Sequence, residues 1–173
     1  MKILAIGDPH GKLPKGLNGI IQKEKIDVII CVGDIPLTPR NPSEAKSWVG
    51  FRRKADKSYG DVVGKLCSFG LPVLTLMGNM YTRGTGGRLT RRIFKRHKNL
   101  HHKRTGKLRL GGIDFVFFDV IWEKSTTRLG VEKLKKKWII TGKSRKRRLN
   151  KILKAVKNPI VISHSPPFGV LDK

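Results

Sequence analysis

Short apolar runs separated by polar loops recur along the chain and predict β-strands. The runs are residues 2–6, 28–32, 73–77, 108–110, 113–120 and 160–163. Their length and their flanking glycine and proline residues are typical of buried strands. Gly111 and Gly112 separate two of the runs, a spacing that predicts a tight hairpin. Since a hairpin pairs its strands antiparallel, the sequence predicts mixed sheets.

Apolar residues at steps of three and four predict helices between these strands. Pro14 is placed to begin the first helix. We predict that Leu17, Ile20 and Ile21 lie on one apolar face of this helix. A helix-start signature at 41–44 predicts a long second helix ending near Gly70. Its apolar face would hold Trp48, Phe51, Ala55, Tyr59, Val62 and Leu66. A further amphipathic helix with a basic outer side is predicted from Leu149, Ile152, Leu153 and Val156.

The length of the chain and its lack of targeting signals limit the class of protein. With 173 residues, the chain suits one domain over residues 1–173. We find no leader and no apolar run long enough to span a membrane, so we predict a cytoplasmic protein without a membrane partner. Cys31 and Cys67 lie far apart in sequence, which argues against a disulfide framework or a zinc knuckle.

The charge is the most unusual property of the sequence. The net charge is +26, of which residues 81–173 carry +21. Two basic tracts, 83–107 and 133–154, contain no acidic residue, whereas thermophile surfaces mix both signs. We therefore predict that they bind nucleic acid through backbone phosphates, and we interpret His97, His101 and His102 as solvated or phosphate-facing. The predicted contacts are Arg83, Arg88, Arg91, Arg92, Lys95, Arg96, Lys98, Lys103, Arg104, Lys135, Lys136, Lys137, Arg145, Lys146, Arg147 and Arg148.

Metal-binding residue types follow four of the predicted strands. These residues are Asp8, His10, Asp34, Asn79 and His164. Because the carboxyl ends of the strands form the ligand crevice in open α/β sheets, we expect these five side chains to converge. Oxygen and imidazole ligands suit manganese, iron or zinc. Two such ions would hold a phosphate and activate a water molecule.

The order of these motifs resembles the calcineurin-like metallophosphoesterase superfamily. Gly-Asp-x-His, Gly-Asp, Gly-Asn and a strand-end His before Pro-Pro occur in family order, and the resemblance extends from Asp8 to Asp172. It implies an α/β fold in which a sandwich of two mixed sheets is flanked by helices, in four layers, with a two-metal centre at one edge. It also implies that Asp8 and His10 bind the first ion, Asp34 bridges both, and Asn79 and His164 bind the second.

Two departures from the family pattern bear on activity. Met80 and Tyr81 stand where family members typically carry a His, which protonates the leaving group, and then an acid. The chain also ends before the family's Gly-His-x-His motif, which supplies one ligand to each metal. We therefore expect either a truncated sequence or a degenerate active site with partial metal occupancy or none, and we assign no catalytic residue.

Three functional hypotheses follow. The first is a pseudoenzyme that binds ribosomal RNA and neighbouring ribosomal proteins instead of a small-molecule substrate. The second is an active metal-dependent phosphodiesterase or phosphatase, such as a nuclease, whose basic half delivers its substrate. The third is a phosphate-binding scaffold that retains one structural metal.

Overall fold

The computed structural model describes residues 1–39, 48–78, 92–119 and 146–164. The chain forms two compact units, Met1–His102 and Lys103–Lys173. The prediction of a single domain over 1–173 stays a prediction. The α/β class with mixed sheets flanked by helices is confirmed, since one sheet is parallel throughout and the other mixes both pairings.

The first unit is built on a four-stranded parallel sheet. Its strands are β1 (Ile3–Ile6), β2 (Val28–Cys31), β3 (Val73–Thr75) and β4 (Leu100–His102), in that spatial order. All residues of β2 and β3 are buried, as expected for parallel strands covered on both faces. Parallel pairing brings the carboxyl ends of the strands to one edge, where the predicted metal ligands of this unit begin.

Helices contribute to the core of the first unit. α1 spans Leu17–Glu24 and begins three residues after Pro14, with Gly16 as its N-cap. Leu17 and Ile21 are buried as predicted, but Ile20 is 44% exposed. The prediction for Ile20 was wrong because helical neighbours at steps of three and four span an arc, and Ile20 lies at the solvent side of it.

The long second helix is confirmed as α2 (Trp48–Cys67). Its predicted apolar face is buried at Phe51, Ala55, Tyr59, Val62 and Leu66. The predicted start at 41–44 and Trp48's predicted packing lie outside the described residues. The helix ends three residues before Gly70, whose N–H donates to the Cys67 carbonyl at 3.1 Å and whose φ is 74°.

β4 was missed by the sequence analysis, which treated residues 83–107 as one basic surface tract. Ile93 and Leu100 in this tract are buried, and His102 stacks on Phe94 with ring centroids 5.4 Å apart. Asn99 Nδ2 donates to the carbonyls of Cys67 and Leu71 at 3.0 and 2.8 Å. His101 and His102 are therefore half-buried strand residues and are not fully solvated, whereas the alternative that they face phosphate stays a prediction.

The second unit contains a three-stranded sheet. β5 (Thr105–Leu110) pairs antiparallel with β6 (Ile113–Phe118), and β7 (Ile160–Ser163) pairs parallel with β6. The hairpin at Gly111 and Gly112 is confirmed, and both residues have positive φ, 51° and 81°. Tight two-residue turns that match the twist of the strands require this conformation, which glycine adopts without steric cost.

Residues 146–154 of the second unit are helical. Leu149, Ile152 and Leu153 are half-buried, whereas all the basic residues of this segment are exposed. The predicted amphipathic helix with a basic outer side is confirmed over this range. Among the helices of the described residues, none is long and apolar enough to cross a membrane.

Candidate metal centre

The loop after β1 carries the first two candidate ligands, Asp8 and His10. Both residues have positive φ, 37° and 43°, which is uncommon for residues with a side chain. The His10 N–H donates to the Asp34 carbonyl at 3.1 Å, and the Gly11 N–H donates to the Ile35 carbonyl at 2.7 Å. These two bonds join the loop after β1 to the loop after β2 and hold the unusual backbone conformation in place.

Asp34, in the loop after β2, lies at the centre of this arrangement. Asp34 is only 5% exposed, and its φ is 47°. Its N–H donates to the Met77 carbonyl, 3.3 Å away, in the segment that follows β3. Backbone hydrogen bonds therefore connect three successive strand ends, with Asp34 taking part in two of the connections.

The carboxylates of Asp8 and Asp34 lie close together. A carboxylate oxygen of Asp8 lies within 4.8 Å of a carboxylate oxygen of Asp34, although the two residues are 26 positions apart in sequence. Two metal–oxygen bonds of roughly 2.0–2.6 Å each span a comparable distance. Asp8 is exposed and Asp34 is buried, so the pair extends from the solvent into the sheet edge. Two anions at this distance favour a cation between them.

His10, also predicted as a ligand, lies in the same loop as Asp8. Its Nδ1 is buried and has no hydrogen-bond partner in the part of the chain that the structure describes. Leaving such a group unsatisfied costs about 1–3 kcal/mol. Coordination of a divalent ion would remove that cost, and imidazole with carboxylate is a usual donor set for manganese, iron and zinc. The residues present therefore fit a divalent metal ion.

Gly78 is a site residue that the sequence analysis missed. A Cβ placed on it would lie 3.0 Å from Asp34 Cγ, and still closer to Asp34 Oδ1 and the Asp34 backbone nitrogen. Gly78 also has a φ of 72°. Any side chain here would displace the buried carboxylate. The only signal in the sequence is the Gly-Asn pair after β3, in which Gly78 precedes the predicted ligand Asn79.

Residues of α2 contact the loops that follow β1, β2 and β3. Ser58 Oγ accepts a hydrogen bond from the Leu37 N–H at 2.8 Å and donates to the Ala55 carbonyl. A Cβ on Gly11 would lie 3.2 Å from Ser58 Cβ, so helix and loop are in close contact. The Tyr59 hydroxyl donates to Met77 Sδ at 4.0 Å. Side chains of α2 thus hold the loops that carry the predicted ligands in place.

The negative charge at this edge also affects Cys31. Burial raises the pKa of the Cys31 thiol to about 11, a hydrogen bond from the Gly33 backbone lowers it, and the charge of Asp8 raises it further. A thiol with so high a pKa stays protonated at neutral pH. Since the thiolate is the metal-binding form, Cys31 is not expected to serve as a ligand.

The two remaining predicted ligands are Asn79 and His164. Asn79 lies outside the described residues. His164 directly follows β7 in the second unit and is half-buried. Their predicted roles as ligands of a second ion stay predictions.

The structure describes nine of the sixteen predicted nucleic-acid contacts. All nine are exposed, and none forms an ion pair within the described chain. They are Arg92, Lys95, Arg96, Lys98, Lys103, Arg104, Lys146, Arg147 and Arg148. The other seven, Arg83, Arg88, Arg91, Lys135, Lys136, Lys137 and Arg145, lie outside the described residues.

Comparison with known proteins identifies the family of the chain and related folds. A model of the calcineurin-like phosphoesterase family matches residues 1–172. No curated protein matches the sequence. A solved crystal structure, 16% identical, superimposes with a TM-score of 0.61 over 96% of this chain and 70% of that one. A structure described as a novel archaeal phosphodiesterase is 12% identical, with a TM-score of 0.43 over 77% of this chain and 67% of that one. At such identities the first likeness shows the fold alone.

Proposed function

Because the chain belongs to the calcineurin-like phosphoesterase family, we propose that it hydrolyses phosphodiesters at a divalent-metal centre that includes Asp8, His10 and Asp34. The observation that carries this proposal is the approach of the Asp8 and Asp34 carboxylate oxygens to within 4.8 Å. It is supported by the buried Nδ1 of His10, in the same loop as Asp8, which has no hydrogen-bond partner among the described residues. The family assignment favours this function over a fold retained only for RNA binding.

The roles of the three side chains follow from their burial. A bound divalent ion would supply a Lewis acid for the phosphoryl oxygens and would lower the pKa of water. Asp34, which is buried and fixed by backbone hydrogen bonds, would hold the ion at the sheet edge. Asp8 is exposed, so its carboxylate would hold the ion on the solvent side, where substrate would arrive. The predicted ligation by Asn79 and His164 is part of this proposal.

Position 80 bears on the substrates that the proposed enzyme would accept. Hydrolysis breaks the bond between phosphorus and the leaving oxygen, and the departing alcoholate must gain a proton. Met80 has no proton to donate, whereas the family typically carries His there. General acid catalysis contributes typically 10²–10⁴-fold, so esters with acidic leaving groups should be strongly preferred. Aryl phosphodiesters are the appropriate first substrates.

Turnover of an aryl phosphodiester tests this function. We expect hydrolysis of bis(4-nitrophenyl) phosphate with added Mn²⁺ and at least a hundredfold loss in Asp34→Asn. Asp61→Asn, the same change at an exposed position of α2, is the matched control and should retain activity. Absence of turnover by the wild-type protein with every divalent ion tested would contradict the proposal.

Binding to ribosomal RNA is the second candidate function. It is favoured by the nine exposed cationic side chains that form no ion pair among the described residues. This proposal includes neighbouring ribosomal proteins as partners and requires no catalysis. Sedimentation of a lysate at low and high salt tests it, since a ribosomal component should migrate with the particles at low salt. A protein that remains at the top of both gradients would contradict the ribosomal role.

A further inference from the structure

An open cavity of about 900 Å³ lies within the second unit. Its walls come from residues 103–107, at the start of β5, and from residues 148–155, in and just after the helical segment. We propose that this cavity binds the sugar-phosphate backbone of a nucleic-acid strand. Its cationic residues, which define what we call the basic groove, are Lys103, Arg104, Lys107, Arg148 and Lys151. None of the lining residues is a proposed metal ligand, so the function of the groove goes beyond the proposed hydrolysis, and it deepens the second candidate function, binding of RNA, on which it rests.

The charge of the basic groove is of one sign. Five of its nine described lining residues are cationic, all five are exposed, and none of the nine is acidic. None of these five forms an ion pair within the described chain. Five like charges around one cavity repel each other, and a polyanion would remove that repulsion. The groove therefore selects for a ligand with several negative charges.

Local contacts hold part of this charge in place. Lys103 Nζ donates a hydrogen bond to the Lys107 carbonyl, four residues along the same chain segment. A Cβ on Gly106 would lie 2.9 Å from Lys103 Cδ, so the absence of a side chain at 106 leaves room for the aliphatic part of Lys103. An ammonium group has three donors, and two remain after this bond. A lysine ordered in this way loses less conformational entropy on binding a phosphate oxygen.

The size and chemistry of the groove favour a strand over a small anion. A single phosphate would fill only a small part of about 900 Å³, whereas successive phosphates can meet several of the five cations. None of the described lining residues is aromatic, so the groove lacks a platform for stacking bases. Recognition would therefore depend on phosphates and not on base sequence.

Fluorescence anisotropy with labelled 20-nucleotide RNA and DNA single strands tests the proposal. The variant is Arg148→Gln/Lys151→Gln, which removes two groove cations three residues apart on a helix. Lys54→Gln/Lys57→Gln is the matched control, with the same spacing and charge change on exposed positions of α2. Circular dichroism verifies that both variants are folded. Binding is measured from 0.05 to 0.5 M salt, and polyglutamate serves as a polyanion without phosphates.

The expected result is specific to the groove variant. Loss of two phosphate contacts should reduce the magnitude of the slope of log affinity against log salt by about 1.4 for a single strand. If the affinities of the variant and of the wild-type protein are equal at 1 M salt, the variant should bind roughly tenfold more weakly at 0.15 M salt. An equal loss of affinity for RNA and for DNA would show that the groove recognises phosphates alone. A larger loss for RNA would show that it also contacts the 2′-hydroxyl group. Both results support the proposal. Equal weakening in the control, no weakening in the groove variant, or tighter binding of polyglutamate than of either strand would overturn it.

Discussion

The Cα of Gly78 faces the carboxylate of Asp34 so closely that no side chain fits between them. This contact joins the segment after β3 to the buried acid that follows β2. Since Asp34 is also bonded through its backbone N–H to Met77, the position of its carboxylate depends on the conformation of residues 77 and 78. The proposed metal centre thus requires a glycine that is not itself a predicted ligand.

Substitution of Gly78 should therefore damage the site through Asp34. We expect Gly78→Ala to weaken Mn²⁺ binding at least tenfold, as measured by titration calorimetry, because the new methyl group displaces the carboxylate. Gly70→Ala is the control, since Gly70 has a similar φ of 74° and no atom near its Cβ position. Both variants carry backbone strain of roughly 1–2 kcal/mol. Equal effects on Mn²⁺ affinity would show that strain, and not the contact with Asp34, is responsible.

Repulsion between Asp8 and Asp34 should appear in the stability of the metal-free protein. Asp8→Asn removes one of the two charges, so we expect a small rise in the melting temperature without metal. Because Asp8 is exposed, the gain in unfolding free energy should be under about 1 kcal/mol. The same variant should lose the stabilisation that Mn²⁺ gives to the wild-type protein. Scanning fluorimetry with and without Mn²⁺ measures both effects. A melting temperature that falls without metal would contradict the repulsion.

The buried thiol of Cys31 should make stability depend on pH at the alkaline end. Burial, offset in part by the Gly33 hydrogen bond and reinforced by Asp8, raises its pKa from 9.0 to about 11. The unfolded chain loses this proton first, so the contribution is complete below pH 9 and is lost as pH rises to about 11. Two pKa units correspond to roughly 3 kcal/mol. In urea unfolding, the wild-type protein should lose more stability over this interval than Cys31→Ala. Parallel curves would contradict the assignment.

Restoring an imidazole at position 80 should widen the range of substrates. In the proposed reaction the wild-type protein has no acid at Met80 to protonate the leaving oxygen. We expect Met80→His to increase hydrolysis of alkyl phosphodiesters roughly 10²-fold or more, with little change for 4-nitrophenyl esters, since only poor leaving groups need the proton. Met80→Gln is the control of similar size. An equal increase for both substrate classes would indicate a different role.

Much of the first unit could be predicted from the sequence because its signals are local. Asp8, His10 and Asp34 come two to four residues after apolar runs, and parallel strands bring such positions to one edge. β4 could not be predicted, since three residues, Leu100–His102, carry too little pattern and owe their conformation to pairing with β3. The contact of Gly78 with Asp34 joins residues 44 positions apart in sequence, and no periodicity predicts it.

The second unit shows the same division between local and distant information. The hairpin at Gly111 and Gly112 and the helical segment 146–154 could be predicted, because both depend on residues that are close together in sequence. The basic groove brings Lys103 and Lys107 close to Arg148 and Lys151, about 40 residues later. The sequence predicted two charged tracts, and only the fold shows which of their residues share one cavity.

Binding of Mn²⁺ tests the central claim most directly, namely that Asp8, His10 and Asp34 form a divalent-metal centre. Free Mn²⁺ gives a six-line electron paramagnetic resonance spectrum that weakens when the ion binds protein. Titration of the wild-type protein should reduce this signal in saturable, stoichiometric fashion, and Asp34→Asn should leave it nearly unchanged. A wild-type protein that leaves the free-ion spectrum intact at millimolar concentration, or an Asp34→Asn variant that binds as well as wild type, would contradict the account.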